Sequence, residues 1–169
     1  VNLFYEASTR TTSSFELAAK RLSADVISVR SSGSSVEKGE SLKDTIATLD
    51  AYEPAAIVVR HPRAGAANLV SRWTQASVIN AGDGARAHPT QALLDVHTLR
   101  NRFGSLEGLS IWIVGDIAHS RVARSTAAAF RLMGAEVTLA GPPTLLPPGI
   151  GSALGCDVRY DLVGMDKAD

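Results

Sequence analysis

Short apolar runs alternate with helical hydrophobic patterns along most of this chain, and that alternation restricts the fold more than any other feature. Residues 1–5 read as a strand, followed by a helix whose apolar face is Phe15, Ala18, Ala19 and Leu22. Further strands are expected at 25–29, 55–59 and 78–79, with helices at 41–52 and 64–73 between them. Glu53-Pro54 stops the second helix, because proline lacks the N–H that would continue it. Pro89 opens another helix at its preferred first-turn position, with Leu93, Val96, Leu99 and Phe103 on one face. The pattern restarts after a polar break at Gly104 and Gly108: strand 109–114, helix 119–132, strand 136–140, then a proline-rich loop at 142–148. Strands alternating with helices predict an α/β fold, a parallel sheet flanked by helices and joined by right-handed crossovers. The break at Gly104 divides this into a first domain at 1–104 and the start of a second, Rossmann-like α/β domain at 105–169.

Composition excludes several classes of function. Lys plus Arg and Asp plus Glu number 17 each, so the basic excess of a nucleic-acid or membrane-surface protein is missing. No apolar run approaches the ~18–20 residues of a membrane span. Cys156 has no second cysteine to pair with, which fits a reduced, cytoplasmic setting. The chain opens on Val1 without a charged leader and ends abruptly at Asp169, and is read as a fragment of a longer protein.

In open α/β sheets, ligands bind outside the carboxyl ends of the strands. The residues expected there are 8–11, 31–38, Arg60-His61, 82–91 and 115–121, which concentrate hydroxyls and cations suited to a small anion. Ser8-Thr9-Arg10-Thr11 precedes a helix, whose first N–H groups and dipole favour phosphate, and a guanidinium adds two parallel hydrogen bonds. Ser8 could equally be only a helix cap. His88 and Gln91, three apart at a helix start, suit an oxyanion donor and a partner for an amide-like NH₂. His61, His97 and His119 are read as structural. Gly33 to Gly39 has Lys38 before glycine, not after it as a P-loop requires, and Gly115 lacks the second glycine of a dinucleotide fingerprint. No spacing suits a metal, and no cofactor is expected.

The blocks 4–11 with Ser14-Phe15-Glu16, 33–41 with Asp44-Thr45, Arg60-His61-Pro62, 80–84 with 88–95, and 115–121 together resemble the carbamoyltransferases. They run in order over essentially the whole chain. Thr90, where ornithine enzymes usually carry Cys, and the 115–121 block are similar to the aspartate branch. Thr12 stands where that family usually has Arg, a departure expected to act on structure rather than on catalysis. The resemblance implies a carbamoyl-phosphate-binding domain, with its N-terminal helix missing, and a partial aspartate-binding domain. It implies that Ser8, Thr9, Arg10, Thr11 and Arg60 bind phosphate, and that Thr11, Arg60 and His88 polarise the carbonyl. Gln91 would hold the carbamoyl NH₂, and Arg121 a carboxylate of aspartate. Ser34 and Lys38 would reach a neighbouring subunit's site in a homotrimer, and Glu6 would pair across the domain interface. The implied reaction is carbamoyl transfer from carbamoyl phosphate to L-aspartate in pyrimidine biosynthesis, without cofactor, metal, nucleic acid or membrane. Regulatory chains or a dihydroorotase partner occur in some members of the family. The 169 residues alone are expected to bind carbamoyl phosphate weakly without turnover. The rivals are a carbamoyltransferase for ornithine or another amine, and a non-catalytic scaffold retaining the fold.

Overall fold

The structure is a computed structural model that describes residues 1–30 and 39–169; the expected loop residues Ser34 and Lys38 lie outside the described residues. The described chain forms two compact units, Val1–Arg86 and Ala87–Asp169.

In the first unit, β1 (Asn2–Phe4), β2 (Ser28–Arg30), β3 (Ala56–His61) and β4 (Ser77–Asp83) form a parallel sheet in the order β2-β1-β3-β4. Helices α1 (Thr9–Arg21), α2 (Leu42–Asp50) and α3 (Ala66–Val70) make the connections. Strands covered on both faces read as continuous apolar runs, which is why Ala56–His61 is buried from Ile57 onward. Leu3, Ile46, Ile57, Val59 and Val70 form the core beneath, each at most 1% exposed. Burying side chains of this size contributes roughly 1.5–3 kcal/mol each.

The second unit repeats the scheme with β5 (Ser110–Val114), β6 (Glu136–Ala140) and β7 (Asp157–Arg159), parallel in the order β5-β6-β7. Helix α4 (Pro89–Phe103) packs on α5 (Arg121–Leu132), and α6 (Ile150–Leu154) leads into β7. The inner line of α5 is Ala123, Thr126, Ala127 and Phe130, whose small members let a second helix approach closely. Because α4 packs here, the compact division falls before this helix, whereas the sequence break lies after it, at Gly104.

Two helix faces differ from expectation. On α1 the buried residue is Thr12, with Phe15 and Ala19 half-buried on the same side, while Leu22 is 81% exposed. The core-facing line is therefore 12-15-19, which keeps Phe15 and Ala19 of the expected face but adds Thr12 and leaves Ala18 and Leu22 exposed. A buried 12 position explains how Thr stands there comfortably, since an Arg would have to bury its charge. On α4 the inner line is Ala92, Val96 and Leu99, and Leu93 and Phe103 point outward at 65% and 45% exposure. Spacing alone favoured the larger residues, but close helix packing selected the alanine. The α6–β7 segment was not anticipated; its glycine-bounded five-residue helix and three-residue strand are too short for a periodic signal. Among the described residues, no helix is long and apolar enough to cross a membrane.

Candidate functional site

In the first unit, the turn after β1 delivers Ser8 as the N-cap of α1. Its Oγ accepts from the Thr11 amide (3.4 Å) and donates to Thr11 Oγ1 (2.8 Å). The capping role of Ser8 is thus real. It does not exhaust the helix start: no acidic residue occupies the first turn, and Thr9 and Arg10 are exposed there. The dipole's positive end is left without an acidic side chain of its own first turn.

Arg60 comes to the same end of the sheet from β3, paired in register with Phe4 of β1. The Tyr5 amide donates to the Arg60 carbonyl at 2.9 Å, tying the β1–α1 turn to this residue. The side chain is buried (7% exposed). Its Nη1 donates to the Ala81 carbonyl at 3.2 Å, and its Nη2 lies 3.2 Å from Glu6 Oε1. This ion pair of Glu6 lies within the first unit. Nε of Arg60 has no hydrogen-bond partner among the described residues. A buried charged donor left unmatched costs at least about 1–3 kcal/mol, which an arriving anion would offset.

The strand beside Arg60 is bent to fit it. Val59 pairs with Asn80 but His61 with Asp83, so β4 carries one extra residue there. Gly82 supplies the positive φ of 121° in this bulge, and the Ala81 carbonyl meets Arg60. Gly84 then turns the chain, its amide donating to the His61 carbonyl at 2.8 Å. A Cβ on Gly84 would sit 2.5 Å from the Pro62 carbonyl oxygen. Asp83, 1% exposed, accepts from the Gly65 amide at 2.8 Å and lies 3.6 Å from Arg86. His61 is structural here: it stacks at a tilt on Tyr5 (centroids 4.9 Å apart) and accepts from the Arg63 amide at 2.9 Å. Burial holds its pKa below the ordinary histidine value.

In the second unit, His88 is the N-cap of α4 and Gln91 lies in its first turn. The His88 amide donates to Ser125 Oγ of α5 at 3.0 Å, and Thr90 Oγ1 lies 3.5 Å from His88 Nδ1. Gln91 Nε2 donates to Asp95 Oδ1 at 2.9 Å. Arg121 opens α5, whose cap Ser120 accepts from the Ala123 amide at 3.0 Å. His97 lies 3.0 Å from Asn101, and exposed His119 pairs with Asp116 at 2.9 Å. The Asp116 pKa is lowered chiefly by the hydrogen bond from the His119 backbone.

The structure therefore groups Ser8, Thr9, Arg10, Thr11 and Arg60 at one sheet end, and places His88, Gln91 and Arg121 at the starts of two packed helices. The sequence reading named Glu6 without Arg60 as its partner, and missed Ser125, Thr126 and Asp95 around the α4 start. Only the Gln91–Asp95 pair carried a local signal, since residues four apart on a helix are neighbours.

Comparison with known proteins agrees with this arrangement of motifs. The family model described as aspartate/ornithine carbamoyltransferase, carbamoyl-P binding domain, matches residues 1–101. The aspartate carbamoyltransferase catalytic subunit of Salinispora arenicola is 60% identical over 164 residues, covering 96% of this chain and 53% of the relative. That of Pelotomaculum thermopropionicum is 63% identical over 150 residues, covering 89% and 48% respectively. The chain thus spans about half the length of the curated relatives it matches. Among solved structures, the M. Jannaschii aspartate transcarbamoylase catalytic subunit superposes with a TM-score of 0.84 at 41% identity, covering 99% of this chain and 56% of that one. The Trypanosoma cruzi aspartate transcarbamoylase in complex with carbamoyl phosphate and aspartate gives 0.83 at 37% identity, covering 95% and 57%. With the motif order, the parallel fold and the family model in agreement, the chain belongs to the aspartate/ornithine carbamoyltransferase family.

Proposed function

We propose that the full-length protein transfers the carbamoyl group of carbamoyl phosphate to the α-amine of L-aspartate, giving N-carbamoyl-L-aspartate and phosphate for pyrimidine biosynthesis. Ser8, Thr9, Arg10, Thr11 and Arg60 receive the phosphate group; residues 1–104 then serve carbamoyl phosphate and the part from 105 onward serves aspartate. Thr11, Arg60 and His88 donate to the carbonyl oxygen as it gains charge, and Gln91 holds the carbamoyl NH₂. Arg121 binds a carboxylate of aspartate. The amine nitrogen forms a bond to the carbonyl carbon, the carbon–oxygen bond to phosphate breaks, and the nitrogen gives up a proton to the departing phosphate or to water. Catalysis is orientation and electrostatics, with no covalent enzyme intermediate. The protein works as a cytoplasmic homotrimer in which Ser34 and Lys38 serve a neighbouring subunit's site.

The observation that supports this most directly is Arg60: a buried guanidinium at a strand end, tied to the turn before the Ser8-capped helix, with Nε unmatched among the described residues. The test is product formation by the full-length protein supplied with carbamoyl phosphate and either aspartate or ornithine. Carbamoyl aspartate is the expected product. Citrulline instead, or no product with either amine, overturns the assignment.

A further inference from the structure

Gln91 and Asp95 occupy successive turns of α4, and their contact settles which end of the Gln91 amide is presented. An ionised carboxylate only accepts hydrogen bonds, so the end of Gln91 turned toward Asp95 Oδ1, 2.9 Å away, must be Nε2. The carbonyl oxygen Oε1 is then directed elsewhere. Asp95 is itself held: its other oxygen accepts from Thr126 Oγ1 at 2.8 Å, and Thr126 is buried on α5 at 6% exposure. One carboxylate thus joins the first turn of α4 to the inner face of α5, with both of its oxygens engaged.

We infer that Asp95, braced by Thr126, is a positioning residue that fixes Gln91 with Oε1 outward, so that the site selects an acyl phosphate bearing an NH₂ group. This rests on the carbamoyl transfer proposed above. A carbamoyl NH₂ donates hydrogen bonds and needs an acceptor; a methyl group in its place offers nothing to Oε1. A Gln91 turned the other way would set NH₂ against NH₂ and lose both the contact to substrate and the contact to Asp95. The energy at stake is one hydrogen bond, which translates to roughly tenfold in affinity at most. Asp95 touches no reacting atom in this role; it acts only through Gln91.

The test compares carbamoyl phosphate with two probes that lack the NH₂ group, acetyl phosphate and inorganic phosphate, on the full-length protein. In Asp95→Ala, the KM for carbamoyl phosphate is expected to rise about tenfold, while competition by acetyl phosphate and by inorganic phosphate stays unchanged. Asp95→Asn, which keeps the shape but can pair with either end of Gln91, is expected to give a smaller loss of the same selective kind. It also serves if the alanine variant folds poorly. Adding Asp95→Ala to Gln91→Ala should cost nothing further, because the second change acts only through the first. Weakening of all three ligands to the same degree, or no change for any, would overturn the role of Asp95. A wild-type protein that makes no carbamoyl aspartate would overturn the reaction itself, and the positioning role with it.

Discussion

Arg60 in the first unit is held by the strand fold around it: buried, ion-paired with Glu6, and set against a bulge that only a positive-φ residue such as Gly82 accommodates easily. His88 and Gln91 in the second unit are held by side chains on helices: the Ser125 hydroxyl on the His88 amide, and the Asp95 carboxylate on the Gln91 amide. The difference matches the two kinds of work. A cation meant for an anion is best embedded in a rigid sheet end, where low dielectric strengthens the contact. Groups that act by single hydrogen bonds need angular placement, which directional hydrogen bonds supply. Changes at pure phosphate contacts and at the strand end of the first unit should therefore show up in anion binding and stability, and changes in the second in turnover and selectivity. Thr11 and Arg60, which in the proposed reaction also face the carbonyl oxygen, should affect both binding and turnover.

The sharpest division comes from His88→Ala. Removing one oxyanion donor typically lowers turnover by ~10²–10³-fold. The expected result is a kcat loss in that range with little change in affinity for carbamoyl phosphate, measured by steady-state kinetics on the full-length protein. If affinity fell as much as turnover, His88 would belong with the phosphate-binding residues and the division between the units would fail.

Gly84→Ala tests how closely the first unit's strand end is tied to its fold. The added Cβ would lie 2.5 Å from the Pro62 carbonyl and 2.8 Å from the Ala64 nitrogen, at a φ of +54°. Both the clash and the backbone conformation oppose it, so a loss of about 2 kcal/mol or more is expected in urea unfolding. Arg10→Ala should do less. Arg10 is exposed at the α1 start, so it should weaken phosphate binding about tenfold and leave stability untouched. Phosphate inhibition constants check the first point and melting temperatures the second.

How far this was visible in the sequence depends on the range of each interaction. Ser8 to Thr11, Arg60 and His88 could be placed because strand–helix alternation puts them at strand ends and helix starts, which are local features. On α1 the expected face was right at Phe15 and Ala19 but not at its edges, because Thr12, polar by type, is buried by tertiary packing. On α4, Ala92 took the inner position that spacing gave to Leu93. The supports of the second unit were invisible for a plainer reason: Ser125 and Thr126 lie 37 and 31 residues from the groups they hold. The β4 bulge likewise exists only in the pairing of two strands. Resemblance to a family supplied the roles of the residues, and the structure supplied what holds them.

The smallest effect distinguishes the units by pH. His61 is buried at the end of β3 with Nδ1 accepting from the Arg63 amide, and burial depresses its pKa below the usual ~6.5. The unfolded chain therefore binds a proton at a pH where the folded chain does not. Stability from this group is complete above pH ~6.5 and declines as pH falls below it, levelling off under the folded pKa. In His61→Asn, the side-chain oxygen can still accept from Arg63 but does not titrate. The variant should be less sensitive than wild type to acidification from about pH 7.5 to 5.5, measured by urea unfolding. Exposed His119, ion-paired with Asp116, serves as the comparison, because replacing it removes no buried imidazole. An equal change in slope from both histidines would mean that burial at the first unit's strand end is not what sets the response.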